Sequence, residues 1–347
     1  MKYTSELPRG CQLCEEGAKL VLFVTGVCDK HCVYCPLSEK RRGKDTSWAN
    51  ERPVGAVEDI IEEAHRMRAR GAGITGGEPL LRFDRTLDYM RLLKGEFGGD
   101  FHLHLYTTRV LKKSELVALK EAGLDEIRFH LMWDGLWGSV ERAVEVGLSA
   151  GIEIPALPSQ EAWIIQIAEK LKETGGDFMN LNELEMADGC GGIVNSGLRT
   201  RSDESYGVEG SEETALKVLE SGLDFNVHYC SSSFKDGVQL RNRLKRTAEN
   251  IAREFDEVTH EGLLFKGVVE LEEPSRDALA LLQWRLVEAF EIPPDLFILD
   301  EGKLRLETSP EIAVYLSEAN VEEGVRYSLV EEYPTWDRLE VSKMPIA

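Results

Sequence analysis

The chain reads as an α/β protein, a partial barrel of parallel strands wrapped by helices, followed by a small α+β domain. Three observations carry that reading. From residue 18 to about 230, short apolar runs alternate with longer amphipathic ones. The short runs have strand length and the amphipathic runs have helical spacing. Near residue 255 the alternation stops. Repeated strand–helix units imply a parallel sheet with helices outside it, and six or seven of them make a partial or nearly complete barrel.

The elements follow in order. Residues 1–17 form an N-terminal segment that carries Cys11 and Cys14. Strands are predicted over 18–25, 71–76, 101–107, 126–132, 152–157, 177–184 and 224–229. Between them, 58–68, 83–96, 112–122, 139–149, 160–173 and 211–221 space their apolar residues as helices do. Gly71, Gly123, Gly151, Gly175 and Gly222 follow several of these runs, where a left-handed cap is easy. The barrel is drawn as 18–255 and the C-terminal domain as 256–347. In the latter, 263–270 reads as a strand and 275–290 as a helix with Asp277 in its first turn. Residues 298–306 read as a hairpin turning at Glu301-Gly302.

Composition limits the function. The 347 residues are 42% hydrophobic and 30% charged, with a net charge of −21. That charge argues against a broad nucleic-acid surface, which needs a clustered positive field. RNA remains a less favoured partner, through the basic run Arg241, Arg243, Lys245, Arg246 and Arg253. The ordinary reading of that run is a solvated helix paired with acidic neighbours. No segment has the length of a membrane span, and Met1-Lys-Tyr-Thr-Ser-Glu-Leu-Pro lacks a signal peptide's apolar core. A cytoplasmic, reducing setting is therefore expected. There the seven cysteines read better as metal ligands than as disulfides.

Three of them stand within eight residues, Cys28-Asp-Lys-His-Cys32-Val-Tyr-Cys35, just after the first strand. Iron–sulfur clusters are normally held by four thiolates, so a triplet leaves one iron open. The loop also lies at a strand's C-terminal end, where α/β barrels place their chemistry. A second segment, Ile74-Thr75-Gly76-Gly77-Glu78-Pro79, ends the next strand. Together the triplet and this turn resemble the signature of radical S-adenosylmethionine (radical SAM) enzymes. In overall style the chain resembles uncharacterised archaeal members related to the pyruvate formate-lyase activating enzymes, which act on glycyl-radical partners. The resemblance covers residues 18 to about 230.

That resemblance implies a partial (β/α)6-type barrel. It implies a 4Fe–4S cluster on Cys28, Cys32 and Cys35, and S-adenosylmethionine chelated at the open iron. Reductive cleavage then yields a 5′-deoxyadenosyl radical that takes hydrogen from a substrate. Tyr34 fits the aromatic that packs on the adenine. Gly76, Gly77, Glu78 and Pro79 would lie against the methionine end, with Glu78 accepting from its ammonium group. Arg109, beside Thr107 and Thr108, suits the cofactor carboxylate by its fork geometry. An external one-electron donor of ferredoxin or flavodoxin type is implied.

Other residues are read without the family. His130 alternates with Phe129 and Leu131 and faces the barrel interior, as a ligand or as a bonded core histidine. Asn180 and Asn182 share one strand face with Leu184, while Glu183 and Glu185 share the other. Two buried amides need partners, supplied by a cofactor, a substrate or a satisfied polar layer. Cys11-x2-Cys14 is a metal half-site spacing. With Cys230, and with Cys190 beyond the sixth strand, it suggests a second metal centre, zinc or a further cluster. His228 shares the parity of Cys230 and is a substitute ligand.

The leading expectation is a radical SAM enzyme acting on a small molecule, a lipid precursor or a peptide. The rivals are a tRNA- or rRNA-modifying enzyme of the same class and a non-catalytic zinc or electron-transfer protein.

Overall fold

A computed structural model describes residues 2–130, 134–187, 193, 197–202, 206–319 and 324–346. The chain divides into two compact units, Met1–Leu240 and Arg241–Ala347.

In the first unit, β1 (Lys2–Tyr3) and α1 (Arg9–Glu15) precede β2 (Lys19–Phe23). A short hairpin, β3 (Trp48–Ala49) and β4 (Arg52–Pro53), follows. Then come α2 (Glu58–Arg66), β5 (Gly71–Thr75), α3 (Phe83–Phe97), β6 (His102–Thr107) and α4 (Lys113–Glu121). After them lie β7 (Glu126–Phe129), α5 (Trp137–Glu145), β8 (Ser149–Ala156), α6 (Glu161–Glu173), β9 (Phe178–Glu183), α7 (Ser211–Leu219) and β10 (Val227–Cys230). The sheet order is β1-β10-β9-β8-β7-β6-β5-β2-β3-β4. Its seven central strands are parallel and neighbour one another in chain order. Beyond them β1 pairs antiparallel with β10, and β3 with β2. The sheet does not close on itself, so the expected partial barrel forms.

Strand parity explains why it folds. One face of each strand carries Leu20 and Leu22, Ala72 and Ile74, Leu103 and Leu105, Ile127 and Phe129, Ile152 and Ile154, or Met179 and Leu181. These pack against Ile60, Met90, Leu93, Leu116, Val140, Ile164 and Ala215 of the helices. The opposite face is polar: Lys19, His104, Tyr106, Arg128, Glu153, Asn180 and His228. Ordinary α/β barrels fill that space with branched apolar side chains. Here it holds a polar layer, hydrogen-bonded around Arg128, Glu153 and Asn180, with a cavity above it. Helix α1 crosses the N-terminal ends of the strands. A Cβ on Gly71 would fall 2.7 Å from Leu13 Cδ1, and one on Gly10 would fall 2.7 Å from both Arg128 and His104. The missing side chains let this short helix seat against the barrel floor.

The second unit holds α8 (Arg241–Ile251), β11 (Glu257–Val258), β12 (Leu264–Leu271), α9 (Arg276–Phe290), β13 (Ile298–Asp300), β14 (Arg305–Thr308), α10 (Pro310–Glu318), β15 (Val325–Glu332) and β16 (Glu340–Ile346). Its antiparallel sheet runs β13-β14-β12-β15-β16, with β11 beside β12. The Ser275 hydroxyl caps α9 by accepting from the Ala278 N–H. Asp300 accepts from the N–H groups of Gly302 and Lys303 and so sets the hairpin predicted at Glu301-Gly302. An apolar core around Val269, Leu279, Leu282, Leu286, Leu306 and Leu316 belongs to this unit alone.

Candidate active site

A cavity of about 780 Å³ opens at the C-terminal ends of the first unit's parallel strands. Its wall includes Cys28, Cys32, Tyr34 and Cys35 from the loop after β2, and Gly76, Gly77, Glu78 and Pro79 from the turn after β5. His130, Glu153, Asn182 and Lys235 complete it, and Lys19 lies at its foot. The two motifs, some forty residues apart in sequence, thus share one rim.

The cysteine loop is fixed by its backbone. Gly26 N–H donates to Lys44 O, and Cys35 N–H to Cys32 O. Arg42 donates to the carbonyls of Cys35 and Leu37. Asp45 binds the Thr25 hydroxyl and the guanidiniums of Arg82 and Arg85; these hold its carboxyl well below the usual carboxylate range. Burial pushes the Cys28 and Cys32 thiols up. Iron binding would have to displace those protons.

The glycine turn is stitched to the same loop. Gly77 N–H donates to Thr25 O at 2.7 Å and Glu78 N–H to Val27 O at 2.9 Å. A Cβ on Gly76 would fall 2.5 Å from Thr25 O, and one on Gly77 2.5 Å from Val27 O. Gly76 also has φ +155°, which favours glycine. The glycines therefore serve, first, the close approach of two backbone segments.

Glu78 differs from its expected role. It is fully buried. One carboxylate oxygen accepts from Leu80 N–H and the Thr107 hydroxyl, the other from the N–H and hydroxyl of Thr108. A carboxylate offers about four lone-pair sites, and all are taken. Glu78 ties the β5 turn to the end of β6 and keeps none for an ammonium group. Arg109 likewise turns away from the cavity wall, donating to Leu80 O at 2.7 Å.

Tyr34 reaches across the cavity. Its hydroxyl lies 2.8 Å from His130 Nε2, and His130 Nδ1 lies 2.9 Å from Glu153 O. A carbonyl only accepts, so Nδ1 carries the proton and Nε2 accepts from Tyr34. Burial lowers the His130 pKa and keeps the ring neutral. Burial also pushes Tyr34 up to about 12, so its hydroxyl stays a donor.

Below them lies a residue the sequence reading missed. Glu153 accepts from Arg128 Nη1, Asn180 Nδ2 and Asn182 Nδ2 at 2.8–2.9 Å. Its carboxyl falls to about 2 although burial opposes the shift, chiefly because of the Arg128 guanidinium. The amides of Asn180 and Asn182 thus find their partner in the protein. The signal was present: a single carboxylate in Ile152-Glu153-Ile154, on the polar face of an otherwise apolar strand.

Arg128 also donates to Cys11 Sγ at 3.3 Å, as Asn180 does at 3.4 Å. Cys230 Sγ accepts from Gln239, and burial raises it to about 12. His228 bonds Asn180 through Nδ1. Cys14 lies one helical turn beyond Cys11 on α1. Cys190 lies outside the described residues. Glu183 is bound by Ser232 and Arg201, and Glu185 by Lys235. Among the described residues no three His, Cys, Asp or Glu side chains crowd closely enough to clasp one metal ion. Among the described residues no helix is long and apolar enough to cross a membrane.

Comparison with known proteins gives the following likenesses. The radical SAM superfamily profile matches residues 22–135, and that of a domain of unknown function (DUF8061) matches 262–346. A Methanocaldococcus jannaschii protein, provisionally named a glycyl-radical enzyme activating enzyme, is 38% identical over 99% of this chain and 95% of its own length. GTP 3′,8-cyclase of Aliarcobacter butzleri is 25% identical over 65% of this chain and 76% of that protein. SuiB of Streptococcus suis, solved with S-adenosylmethionine bound, gives a TM-score of 0.43 at 14% identity, over 64% of this chain and 53% of SuiB.

Proposed function

This chain belongs to the radical SAM superfamily and is an enzyme of that class; on that footing, we propose that Cys28, Cys32 and Cys35 hold its catalytic 4Fe–4S cluster. The observation that carries this is the shared rim: three thiols and the Gly76-Gly77 turn on one 780 Å³ cavity. When bound, the cluster and S-adenosylmethionine supply a hydrogen-abstracting radical, since cofactors carry such chemistry.

The chain's own residues position and seal. The Gly76-Gly77 backbone, held against Thr25 and Val27, offers the methionine end a surface free of side chains. Glu78 keeps that turn rigid rather than touching the ligand. Tyr34, fixed by neutral His130, presents its ring as an adenine platform. Asn182 and Glu153 mark the wall below, where a substrate would lie. The name of the M. jannaschii relative supports a protein or peptide substrate over a lipid precursor or another small molecule. The net charge of −21 counts against RNA. An external ferredoxin- or flavodoxin-type protein would deliver the electron.

Cys11, Cys14 and Cys230 are proposed as ligands of a second centre, either zinc or a further cluster. Its support is the Cys11-x2-Cys14 spacing on one helix and the guanidinium of Arg128 beside Cys11, which works against the rise that burial gives that thiol.

Anaerobic reconstitution tests the reading. The wild type should bind about four irons or more per chain and release 5′-deoxyadenosine on reduction with S-adenosylmethionine. Cys28→Ala, Cys32→Ala and Cys35→Ala should each abolish release. Iron above about four per chain that is lost in Cys11→Ala marks the second centre. A colourless protein without cleavage, or cleavage retained in all three variants, would overturn the ligand assignment.

A further inference from the structure

We propose that the outer side of the cysteine loop is a basic landing surface for an acidic one-electron carrier protein of ferredoxin type. This rests on reading Cys28, Cys32 and Cys35 as ligands of the catalytic cluster, and it adds where, and by which side chains, the electron donor is recognised.

Charge marks the surface. The chain has 41 basic and 62 acidic residues, yet residues 28–45 hold five of the former, Lys30, Lys40, Arg41, Arg42 and Lys44, and three of the latter. Of those three, Asp29 pairs with Lys30 at 3.3 Å. Asp45 is shared by Arg82 and Arg85, which add two more cations. Glu39 is the remaining acid. The basic run folds back on the cysteine loop. Gly43 N–H donates to Gly26 O and Gly26 N–H to Lys44 O, both at 2.8 Å, and Arg42 donates to the Cys35 carbonyl. Lys40 lies over the Trp48 ring, 4.8 Å from its centroid. These ties hold residues 40–44 against the loop that carries the thiols.

Exposure then defines the partner. Val33, between the second and third cysteines, is 59% exposed, and His31, Lys40, Arg42 and Lys44 are exposed too. Cys28, Cys32 and Cys35 line the cavity, whereas Val33, Lys40 and Lys44 lie off its wall. The loop thus has an inner side for the cofactor and an outer side that the cavity's ligands leave open. An electron arriving on the outer side crosses only this loop to reach a cluster held by it. Electron-transfer encounters are small, under about 1,200 Å², and a ferredoxin-type carrier is small enough to rest on one loop. A larger flavin carrier suits it less well. Complementary charge steers such a partner and speeds its arrival. With a net charge of −21, the rest of the chain repels an acidic carrier, so the basic loop is where it can settle.

Binding and electron delivery test this on the reconstituted enzyme, with a small acidic ferredoxin and the double variant Lys40→Glu/Lys44→Glu. Calorimetry at about 50 mM salt should show ferredoxin binding to the wild type and a Kd about ten-fold weaker, or more, in the variant. Raising salt to about 0.5 M should erase most of the difference. Release of 5′-deoxyadenosine driven by reduced ferredoxin should slow by a similar factor. Release driven by photoreduced deazariboflavin, a small uncharged reductant, should stay within about two-fold. Lys172→Glu/Lys217→Glu makes the same charge change in the last turns of α6 and α7 and should leave binding and both rates near wild type. The proposal is overturned if Lys40→Glu/Lys44→Glu binds ferredoxin as the wild type does, or if both double variants weaken binding alike. It is overturned too if deazariboflavin-driven release falls as far as ferredoxin-driven release. An acidic flavodoxin that binds tighter and drives release faster than the ferredoxin overturns the choice of carrier. Wild-type release with deazariboflavin, assayed alongside, separates failure here from failure of the radical site itself.

Discussion

Glu78, fully buried, and Glu153, part-buried at the cavity wall, sit in one barrel, yet their surroundings push their carboxyls in opposite directions. Glu78 has hydrogen-bond donors but, among the described residues, no cation, and burial raises it. Glu153 has the Arg128 guanidinium and falls to about 2. Because its folded pKa lies below its usual 4.5, Glu153 stabilises the fold fully above that pH. The contribution fades as pH falls from about 4.5 toward 2. Glu153→Gln should therefore cost about 1–3 kcal/mol near neutrality, because Arg128 keeps only Glu126 and the two amides lose a charged acceptor, and the gap to wild type should narrow as acid is added. Urea titrations across that pH range check it. Neither carboxyl's partners were legible in the sequence. Parity places Glu153 on the interior face, but nothing local says that Arg128 of β7 and Asn180 of β9 flank it. The cysteine triplet was legible because its chemistry is packed into eight consecutive residues.

At the scale of elements, the strand and helix boundaries followed from apolar periodicity, because each barrel strand pairs an apolar outer face with a polar inner one. The short α1 escaped it. Seven residues give barely two turns, and its contacts are with Gly71, His104 and Arg128, far along the chain. The turn after β5 makes the sharpest claim at this scale. Gly77→Ala would drive a methyl into the Val27 carbonyl at 2.5 Å, and backbone cannot yield as a side-chain tip does. The cysteine loop should shift, and bound iron after reconstitution should fall several-fold while circular dichroism stays near wild type. Gly95→Ala, with nothing within 4 Å of the added atom, is the matching control.

Across the whole molecule, charge is sorted unevenly. The chain carries −21, yet its second unit buries a balanced knot. Arg253, Lys266, Lys303, Arg305 and Arg338 interleave there with Asp256, Asp300, Glu307, Glu332 and Glu340. Lys266 and Arg305 are each 1% exposed, so solvent screens them little. Lys266→Met should destabilise this unit by about 3–5 kcal/mol, because it takes from buried Asp256 the ammonium that pairs it. Thermal unfolding followed by near-UV dichroism measures that loss. Composition hinted at such a network through its abundance of charge; only the register of β12, β14 and β15 says which residues meet.

The short helix beneath the barrel also bears on the order of events. Among the described residues α1 shuts the floor, so a guest lodged at depth would pass the rim where the cofactor would stand. A cofactor seated there first would hinder that guest's entry, and one still seated would hinder its exit. Turnover would then favour an order, with the deeper guest first in and last out.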